Sequence, residues 1–146
     1  MLHFAEHKTG SNQSTRIRFR AVSIDDAFSY HDHKLVYAAY EPDLRWGWRD
    51  YSVLRLLDLG NKKDIRLTSK TKYFSPDISK DGQLIVAVNL TTLGKSFLDI
   101  IDIHSGRVVR QIPNPEGLVY TYPKFFNQDQ LVSAVRNRSI SPSSRW

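Results

Sequence analysis

Short apolar segments recur along the chain and are separated by polar turns. Residues 34–38 (KLVYA) reappear as residues 83–87 (QLIVA) and again as residues 130–134 (QLVSA). A second segment, residues 53–58, recurs 44 positions later as residues 97–102. An interval of about 40–50 residues filled with short apolar strands is typical of stacked β-propeller blades. The pattern predicts an all-β fold, and it leaves the chemistry open because propellers serve both binding and catalysis.

The best-preserved unit, residues 76–112, predicts four antiparallel strands. Asp81-Gly82 is a turn signal, because Asp bonds nearby backbone groups and Gly adopts positive φ without strain. Residues 83–89 form a nearly continuous apolar run rich in β-branched residues, which predicts a strand buried on both faces. Residues 97–112 supply a third strand, a hairpin turn and a more exposed fourth strand. Four such strands make one propeller blade.

The repeat divides the chain into three regions. We expect residues 1–15 to be poorly ordered and residues 138–146 to form an irregular tail, because neither carries the pattern. Residues 16–137 predict a partial β-propeller: an outer strand at 16–19, blades at 27–68 and 76–112, and a half blade at 123–137. Closed propellers have about four to eight blades. We therefore expect a fragment, a truncated product or a piece that associates, with self-association through its open blade edges.

Composition narrows the class of protein. A chain of 146 residues with 40% hydrophobic and 12% aromatic content is that of one folded domain. No apolar run approaches the length of a membrane span, so no membrane insertion is expected, and the N-terminal residues contain no export signal. The absence of cysteine excludes disulfides and thiolate metal sites.

The net charge of +6 is spread along the chain except in residues 61–72, where five Lys or Arg residues face Asp64 alone. We interpret this cluster as a solvated strand and turn, because no stacking aromatic residue interrupts it. No nucleic-acid partner is therefore expected. The alternative, a phosphate-binding patch, predicts binding to random DNA that weakens steeply with salt.

Residues 73–87, YFSPDISKDGQLIVA, resemble the repeat of TolB-type, WD-repeat-like propellers. The shared positions are Pro76, Ile78, Ser79, Asp81, Gly82 and a strand that ends at the small residue Ala87. The other units are degenerate: Ala27 replaces the Pro and His33 the Gly in the first, and residues 127–129 (NQD) replace the Asp-Gly turn in the third.

With residues 45–51 (RWGWRDY) and 114–118 (NPEGL), the arrangement is similar to large exported bacterial proteins that carry TolB-like propellers. The resemblance implies a periplasmic or cell-surface location and a non-catalytic scaffold for protein–protein interaction. The family has no catalytic residues to transfer, so we expect no enzymatic activity and no cofactor. The alternative is the substrate-gating propeller of a larger prolyl-oligopeptidase-like hydrolase, whose nucleophile would lie in another domain.

The candidate protein-binding site is an insertion of five residues between the second and third strands of the first blade. Trp and Arg are enriched at binding hot spots, and loops at propeller ends carry function. Structurally, the aromatic residues could instead pack on a neighbouring blade while the arginines pair with Asp43 and Asp50. The predicted contact residues are Arg45, Trp46, Trp48, Arg49 and Tyr51.

Other chemically suggestive residues favour structural interpretations. His31 and His33 fall where the sister repeat has a turn, and no third ligand has a recognisable spacing, so no metal site is expected. Asp58 and Asp102 recur at equivalent positions before hairpin turns, which favours the capping of turn amides over catalysis. Residues 113–117 are interpreted as a rigid connection between blades.

Overall fold

The structure is a computed structural model that describes residues 3–19, 27–45 and 50–137, and the regular structure in these ranges is all β-strand. None of the described residues belongs to a helix of the length and apolarity that crossing a membrane would need. In chain order the strands are β1 His3–His7, β2 Ser14–Phe19, β3 Phe28–His31, β4 Lys34–Pro42, β5 Asp50–Asp58, β6 Asp64–Arg66, β7 Tyr73–Ile78, β8 Leu84–Leu90, β9 Ser96–Asp102, β10 Val108–Ile112, β11 Val119–Phe125 and β12 Leu131–Arg136.

The described strands form two four-stranded antiparallel sheets and two hairpins. Sheet 1 contains β3 to β6 and sheet 2 contains β7 to β10, each with its strands in chain order. The N-terminal hairpin is β1–β2 and the C-terminal hairpin is β11–β12. The all-β prediction and the predicted four-strand units are thus confirmed.

The sheets and hairpins are stacked as layers in chain order. In sheet 2 and in the C-terminal hairpin the first strand contacts the layer before: β7 lies against β3, β4 and β5, and β11 lies against β7, β8 and β9. Three apolar cores fill the spaces between the layers. Core 1, between the N-terminal hairpin and sheet 1, contains Phe4, Leu35, Tyr37, Ala39, Val53 and Leu57. Core 2, between the two sheets, contains Val36, Leu54, Tyr73, Ile78, Ile85, Ala87, Ile101 and Ile103. Core 3, between sheet 2 and the C-terminal hairpin, contains Val86, Val88, Leu98 and Phe125.

The second strand of each sheet is buried on both faces. In β4, Tyr37 enters core 1 while its neighbour Val36 enters core 2. In β8, Ile85 enters core 2 and Val86 enters core 3, and both are fully buried. Successive side chains of a strand point to opposite faces. An unbroken apolar run is therefore expected only in a strand that is covered on both sides. The prediction made from that run is confirmed.

The turn predicted at Asp81-Gly82 joins β7 to β8. The Ser79 N–H donates to the carbonyl oxygen of Leu84 (2.8 Å), which closes the turn. Gly82 has φ +73°, and a Cβ there would lie 2.8 Å from Cδ2 of His31 in sheet 1. The backbone conformation thus favours Gly at this position, and a Cβ there would require the His31 ring to shift.

Turn length shifts the repeat by one residue. The turn between β3 and β4 has two residues, whereas that between β7 and β8 is longer. Leu35 and Ile85 both face the layer before their own sheet, while Leu84 contacts core 3 on the opposite side. Leu35 therefore occupies the position of Ile85. The sequence repeat had instead aligned Leu35 with Leu84. A shift of one residue exchanges the two faces of a strand, so packing decides the register.

The N-terminal region differs from the expectation of poor order over residues 1–15. Residues 3–7 form β1, which pairs with β2. Phe4 is 6% exposed, and its ring lies 5.1 Å from that of Tyr37 and 5.5 Å from that of Phe28, both edge-to-face. Phe4 and Ile17 thus attach to core 1 a hairpin whose first strand carries no repeat. The predicted tail lies outside the described residues.

Candidate interaction surface

The inserted segment between β4 and β5 lengthens the strands as well as the loop. Both strands have nine residues, against seven in β8 and β9, and the loop covers residues 43–49. Tyr51, counted with the inserted segment and also predicted to begin the next strand, is the second residue of β5 and pairs with Glu41. Part of the insertion therefore forms a longer hairpin that extends past its counterpart in sheet 2.

Tyr51 is half-buried and packs against core 1. Its hydroxyl donates to Oδ2 of Asp43 (3.3 Å), whose Oδ1 accepts from the Arg45 N–H (2.8 Å). The Tyr40 hydroxyl donates to Oδ1 of Asp50 (2.6 Å), and this bond raises the pKa of Tyr40 above its ordinary value. The two carboxylates thus accept hydrogen bonds from tyrosine hydroxyls of the same hairpin.

The tip of this hairpin exposes apolar and basic side chains. Leu44 is 100% exposed and Arg45 is also exposed. The other predicted contact residues, Trp46, Trp48 and Arg49, lie outside the described residues. Their assignment to a binding site therefore stays a prediction.

A second exposed leucine lies in the corresponding loop of sheet 2. Leu93, 49 positions after Leu44, is 78% exposed in the loop between β8 and β9. The connection before β7 lies between the two loops: Lys72 bridges to Ser52 near the start of β5, and its carbonyl accepts from the N–H of Leu90 at the end of β8 (3.0 Å). Both loops therefore lie at one end of the stack. We call their exposed residues the loop-tip surface. It comprises Leu44, Arg45, Thr92, Leu93 and Lys95.

The connection from β10 to β11 borders the loop between β8 and β9 and is held by one side chain. Asn114 donates through Nδ2 to the carbonyl oxygens of Ser96 (2.8 Å) and Leu118 (2.6 Å), and its Oδ1 accepts from the Leu118 N–H (2.9 Å). A cleft of about 150 Å³ separates this connection from Lys95 and Phe97. The hydrogen bonds agree with the interpretation of residues 113–117 as a rigid connection.

Two buried serines attach each sheet to the next connection. Ser52 Oγ donates to the carbonyl oxygen of Tyr73 (2.7 Å). Ser96, 44 positions later, donates to the carbonyl oxygen of Leu118 (3.1 Å) and accepts from the N–H of Tyr120 (3.0 Å). Sequence reasoning missed this pair. The signal that could have revealed it is a Ser directly before both copies of the third-strand repeat.

A second set of polar links joins the first strands of successive layers. Ser29 Oγ donates to Oδ1 of Asp77 (3.0 Å) and accepts from the N–H of Ile78 (3.0 Å). One layer further, Asp77 Oδ2 accepts from the N–H of Phe125 (2.8 Å), and Lys124 Nζ lies 3.6 Å from Oδ1. In each case a side chain of one layer accepts from the backbone of the next. Sequence reasoning also missed this relation, although the donors and acceptors are spaced 48 or 49 positions apart.

Asp99 is a buried carboxylate at the centre of sheet 2. It is 1% exposed and accepts from the Tyr73 hydroxyl (2.7 Å) and from the side-chain amides of Asn89 (2.9 Å) and Gln111 (2.8 Å). Burial, strengthened by the bond to Asp99, raises the pKa of Tyr73 well above its ordinary range. Three neutral donors from three strands thus satisfy a group that burial would otherwise penalise, which is a structural role.

Sheet 1 contains a comparable polar cluster, in which the carboxylate is also paired with an arginine. Asp64 accepts from the Tyr37 hydroxyl (2.7 Å) and forms an ion pair with Arg55 (3.0 Å). Burial, followed by the hydrogen bond to Asp64, raises the pKa of Tyr37 to about 12. This group crosses from β4 through β5 to β6, so it holds the short outer strand in place.

Asp58 and Asp102 cap turn amides, as predicted. Asp58 Oδ1 accepts from the Gly60 N–H (2.8 Å), and Asp102 Oδ1 accepts from the His104 N–H (3.3 Å). The Ser105 hydroxyl donates to Asp102 (2.8 Å) and is the main reason that the pKa of this carboxyl lies below its usual value. The hydrogen bonds give both residues the geometry of turn capping.

His31 and His33 lie at the predicted turn. His33 has φ +63°, and the turn spans Asp32 and His33 between β3 and β4. Within residues 3–19, 27–45 and 50–137, no three His, Cys, Asp or Glu side chains lie together in a way that could hold a metal ion.

No protein-family model and no curated protein sequence matches the chain. The function is therefore inferred from the residues and contacts themselves.

Proposed function

We propose that the layers are blades of a TolB-like β-propeller and that the protein is a non-catalytic scaffold for protein–protein interaction. Two features support the blade assignment. Sheet 2 and the C-terminal hairpin each rest on the layer before them through their first strands, as blades do around a central axis. The links from Ser29 to Ile78 and from Asp77 to Phe125 repeat the same contact between successive layers.

The observation that carries the binding function is the pair of exposed leucines, Leu44 and Leu93, at one end of the stack. Each forms part of a loop tip, and neither packs in a core. Full burial of a leucine side chain is worth about 1.5–3 kcal/mol, so two in adjacent loops provide a substantial apolar contact for a partner. Arg45 beside them adds a side chain type enriched at hot spots.

We also propose that the protein containing these blades acts in the periplasm or at the cell surface. The support is the resemblance of residues 73–87 to TolB-type repeats. The interaction partner would then be another protein of that compartment. Fractionation of cells with an antibody against this chain would test the location, and a purely cytoplasmic signal would contradict it.

The binding function is tested with the double variant Leu44→Ser, Leu93→Ser. The matched control is Ile65→Ser, which removes a 48% exposed apolar side chain from β6, a strand outside the loop tips. A protein captured from periplasmic extract by the wild-type chain would be identified by mass spectrometry, purified and titrated against all three chains by calorimetry. We expect at least a tenfold weaker Kd for the double variant and an unchanged Kd for Ile65→Ser. Equal affinities for all three chains would contradict the proposal.

A further inference from the structure

A small cleft lies beside the loop-tip surface, between the loop from β8 to β9 and the connection from β10 to β11. Its volume is about 150 Å³, and Phe97 and Pro115 provide apolar walls. A cavity of about this volume accepts a group of the size of benzene. Gly117 also lines the cleft, and a Cβ on it would meet nothing within 4 Å, so the space beside it is open. The cleft therefore has room for one apolar side chain of another molecule.

Both walls of the cleft are held by hydrogen bonds. The Thr91 N–H donates to the carbonyl oxygen of Lys95 (2.8 Å), and the Lys95 N–H donates to Oγ1 of Thr91 (3.1 Å), which closes the loop. The bond from Asn114 Nδ2 to the carbonyl oxygen of Ser96 (2.8 Å) ties the opposite wall to the start of β9. Because the walls are already fixed, a ligand does not have to order them, and binding is correspondingly less costly.

Among the described residues that line the cleft, Lys95 alone is charged. Its side chain is exposed, and it takes part in none of the ion pairs of the described residues. Glu116 belongs to the opposite wall, but it does not line the cleft, although both of its neighbours do. A ligand group beside the cleft therefore meets a positive charge, to which a carboxylate is complementary.

The combination of an exposed leucine and an exposed cation occurs in both loops. Arg45 follows Leu44 directly, and Lys95 lies two positions after Leu93. The loop-tip surface contains no acidic residue. Stacked sheets lie about 10 Å apart, so the two cations are separated by a distance of about that order. The surface thus presents apolar and positive groups side by side, and a segment with apolar and acidic groups is its complement.

We propose that the partner binds this surface through an acidic segment, with one apolar or aromatic side chain in the cleft and a neighbouring carboxylate paired with Lys95. The side chain in the cleft provides affinity, because burial of apolar surface drives association. The ion pair is exposed, so it mainly selects the partner and speeds the encounter. This inference rests on the protein-binding function proposed above.

Selection of random peptides displayed on phage, with the immobilised wild-type chain as bait, tests the chemistry of the segment. We expect the enriched peptides to carry Asp or Glu next to a large apolar or aromatic residue, and Lys95→Glu to recover about tenfold fewer of them because like charges repel. Lys80→Glu is the matched control. It makes the same charge change at an exposed lysine in the turn from β7 to β8, at the other end of the stack, and should recover as many peptides as the wild type. Enrichment of basic peptides, equal recovery by Lys95→Glu, or no enrichment over the bare support would overturn the proposal.

A double-variant cycle tests the ion pair directly. An enriched peptide is synthesised with its carboxylate and with the corresponding amide, and each form is titrated by calorimetry against the wild type and Lys95→Gln. We expect either change alone to weaken the Kd about threefold, the scale of an exposed ion pair, and the second change to add nothing to the first. Losses that multiply would show that the carboxylate does not meet Lys95, and would overturn the pairing.

Occupation of the cleft is tested with Gly117→Asn. Gly117 has φ +64°, a conformation that Asn adopts more readily than most residues, and the new side chain would take up the open space. We expect this variant to bind the peptide about tenfold more weakly, because the apolar side chain of the peptide loses its pocket. A peptide with Ser in place of that residue should then bind the wild type and the variant equally. Urea unfolding checks that the variant is folded, and an unchanged Kd in the folded variant would remove the cleft from the binding site.

The outcomes separate this inference from the function on which it rests. If the Leu44→Ser, Leu93→Ser chain loses the captured partner while Lys95→Glu binds it normally, the acidic segment alone is wrong. If Lys95→Glu loses the partner and the double leucine variant binds it normally, the role given to the leucines alone is wrong.

Discussion

Gly106 lies against the backbone carbonyl oxygen of Leu67, so close that a Cβ on Gly106 would overlap that oxygen. Gly106 is in the turn between β9 and β10 of sheet 2, and Leu67 directly follows β6 of sheet 1. Gly106 also has φ +72°. The turn of one sheet and the backbone of the other are thus in direct contact, with no room for a side chain between them.

Gly106→Ala should destabilise the protein more than Gly117→Ala. Both glycines have positive φ, but a Cβ at Gly117 would meet nothing within 4 Å. Gly117→Ala therefore carries only backbone strain, about 1–2 kcal/mol, whereas Gly106→Ala must also displace one sheet from the other. Urea unfolding of both variants measures the difference. Equal losses of stability would show that the sheets do not approach each other as described.

Asp77→Ala should lower the free energy of unfolding by about 1–3 kcal/mol, because it leaves the Phe125 N–H and the Ser29 hydroxyl without their acceptor. The carboxylate is only 15% exposed, so water replaces it poorly. Asp129→Ala, at an exposed turn, is the matched control and should change stability little. The comparison is made by urea unfolding, and similar midpoints for the two variants would contradict the role given to Asp77.

Stability should fall in alkali partly because of Tyr37. Its pKa is raised to about 12 in the folded protein, so the folded state holds this proton more tightly than the unfolded state. The resulting stabilisation, at most about 3 kcal/mol, is complete below the unfolded pKa of about 10 and is lost as the pH rises through the folded value. We expect the stability difference between the wild type and Tyr37→Phe to shrink between pH 9 and pH 12, as estimated from those pKa values. If the difference in unfolding free energy between the two proteins stays constant across that range in chemical denaturation, the role given to Tyr37 is wrong.

Replacing Trp46 and Trp48 together by Ala should weaken partner binding by about 2 kcal/mol or more, the usual scale of a hot spot. The fold should persist, because the loop lies beyond the paired ends of β4 and β5. Circular dichroism checks folding and calorimetry checks affinity. An unfolded double variant would instead assign the tryptophans to packing, and a folded one with unchanged affinity would remove them from the binding surface.

Much of the architecture was predictable because it depends on local patterns. The apolar run of residues 83–89 and the Asp81-Gly82 pair predict a doubly buried strand after a turn, and both are present. Asp58 and Asp102 were identified as capping residues because turn chemistry acts over two or three positions. Phe4 carried no such signal, since its effect depends on a ring 33 positions away, that of Tyr37.

The candidate site was predictable only in part. The insertion after β4 was visible in the repeat, but Tyr51 belongs to a strand and packs against core 1. The exposure of Leu44 and Leu93 could not be inferred from their type, because a leucine in a loop is as compatible with a covered position as with an open one.

By itself, the sequence determined the strands of the two complete sheets, their turns and the four-strand unit, because alternation, β-branched runs and turn residues act between near neighbours. Only the tertiary structure decided that Ser29 meets Asp77 and that Leu35 occupies the position of Ile85. These relations depend on turn length and on packing between layers. Since a shift of one residue turns every side chain to the opposite face, a local pattern cannot specify them.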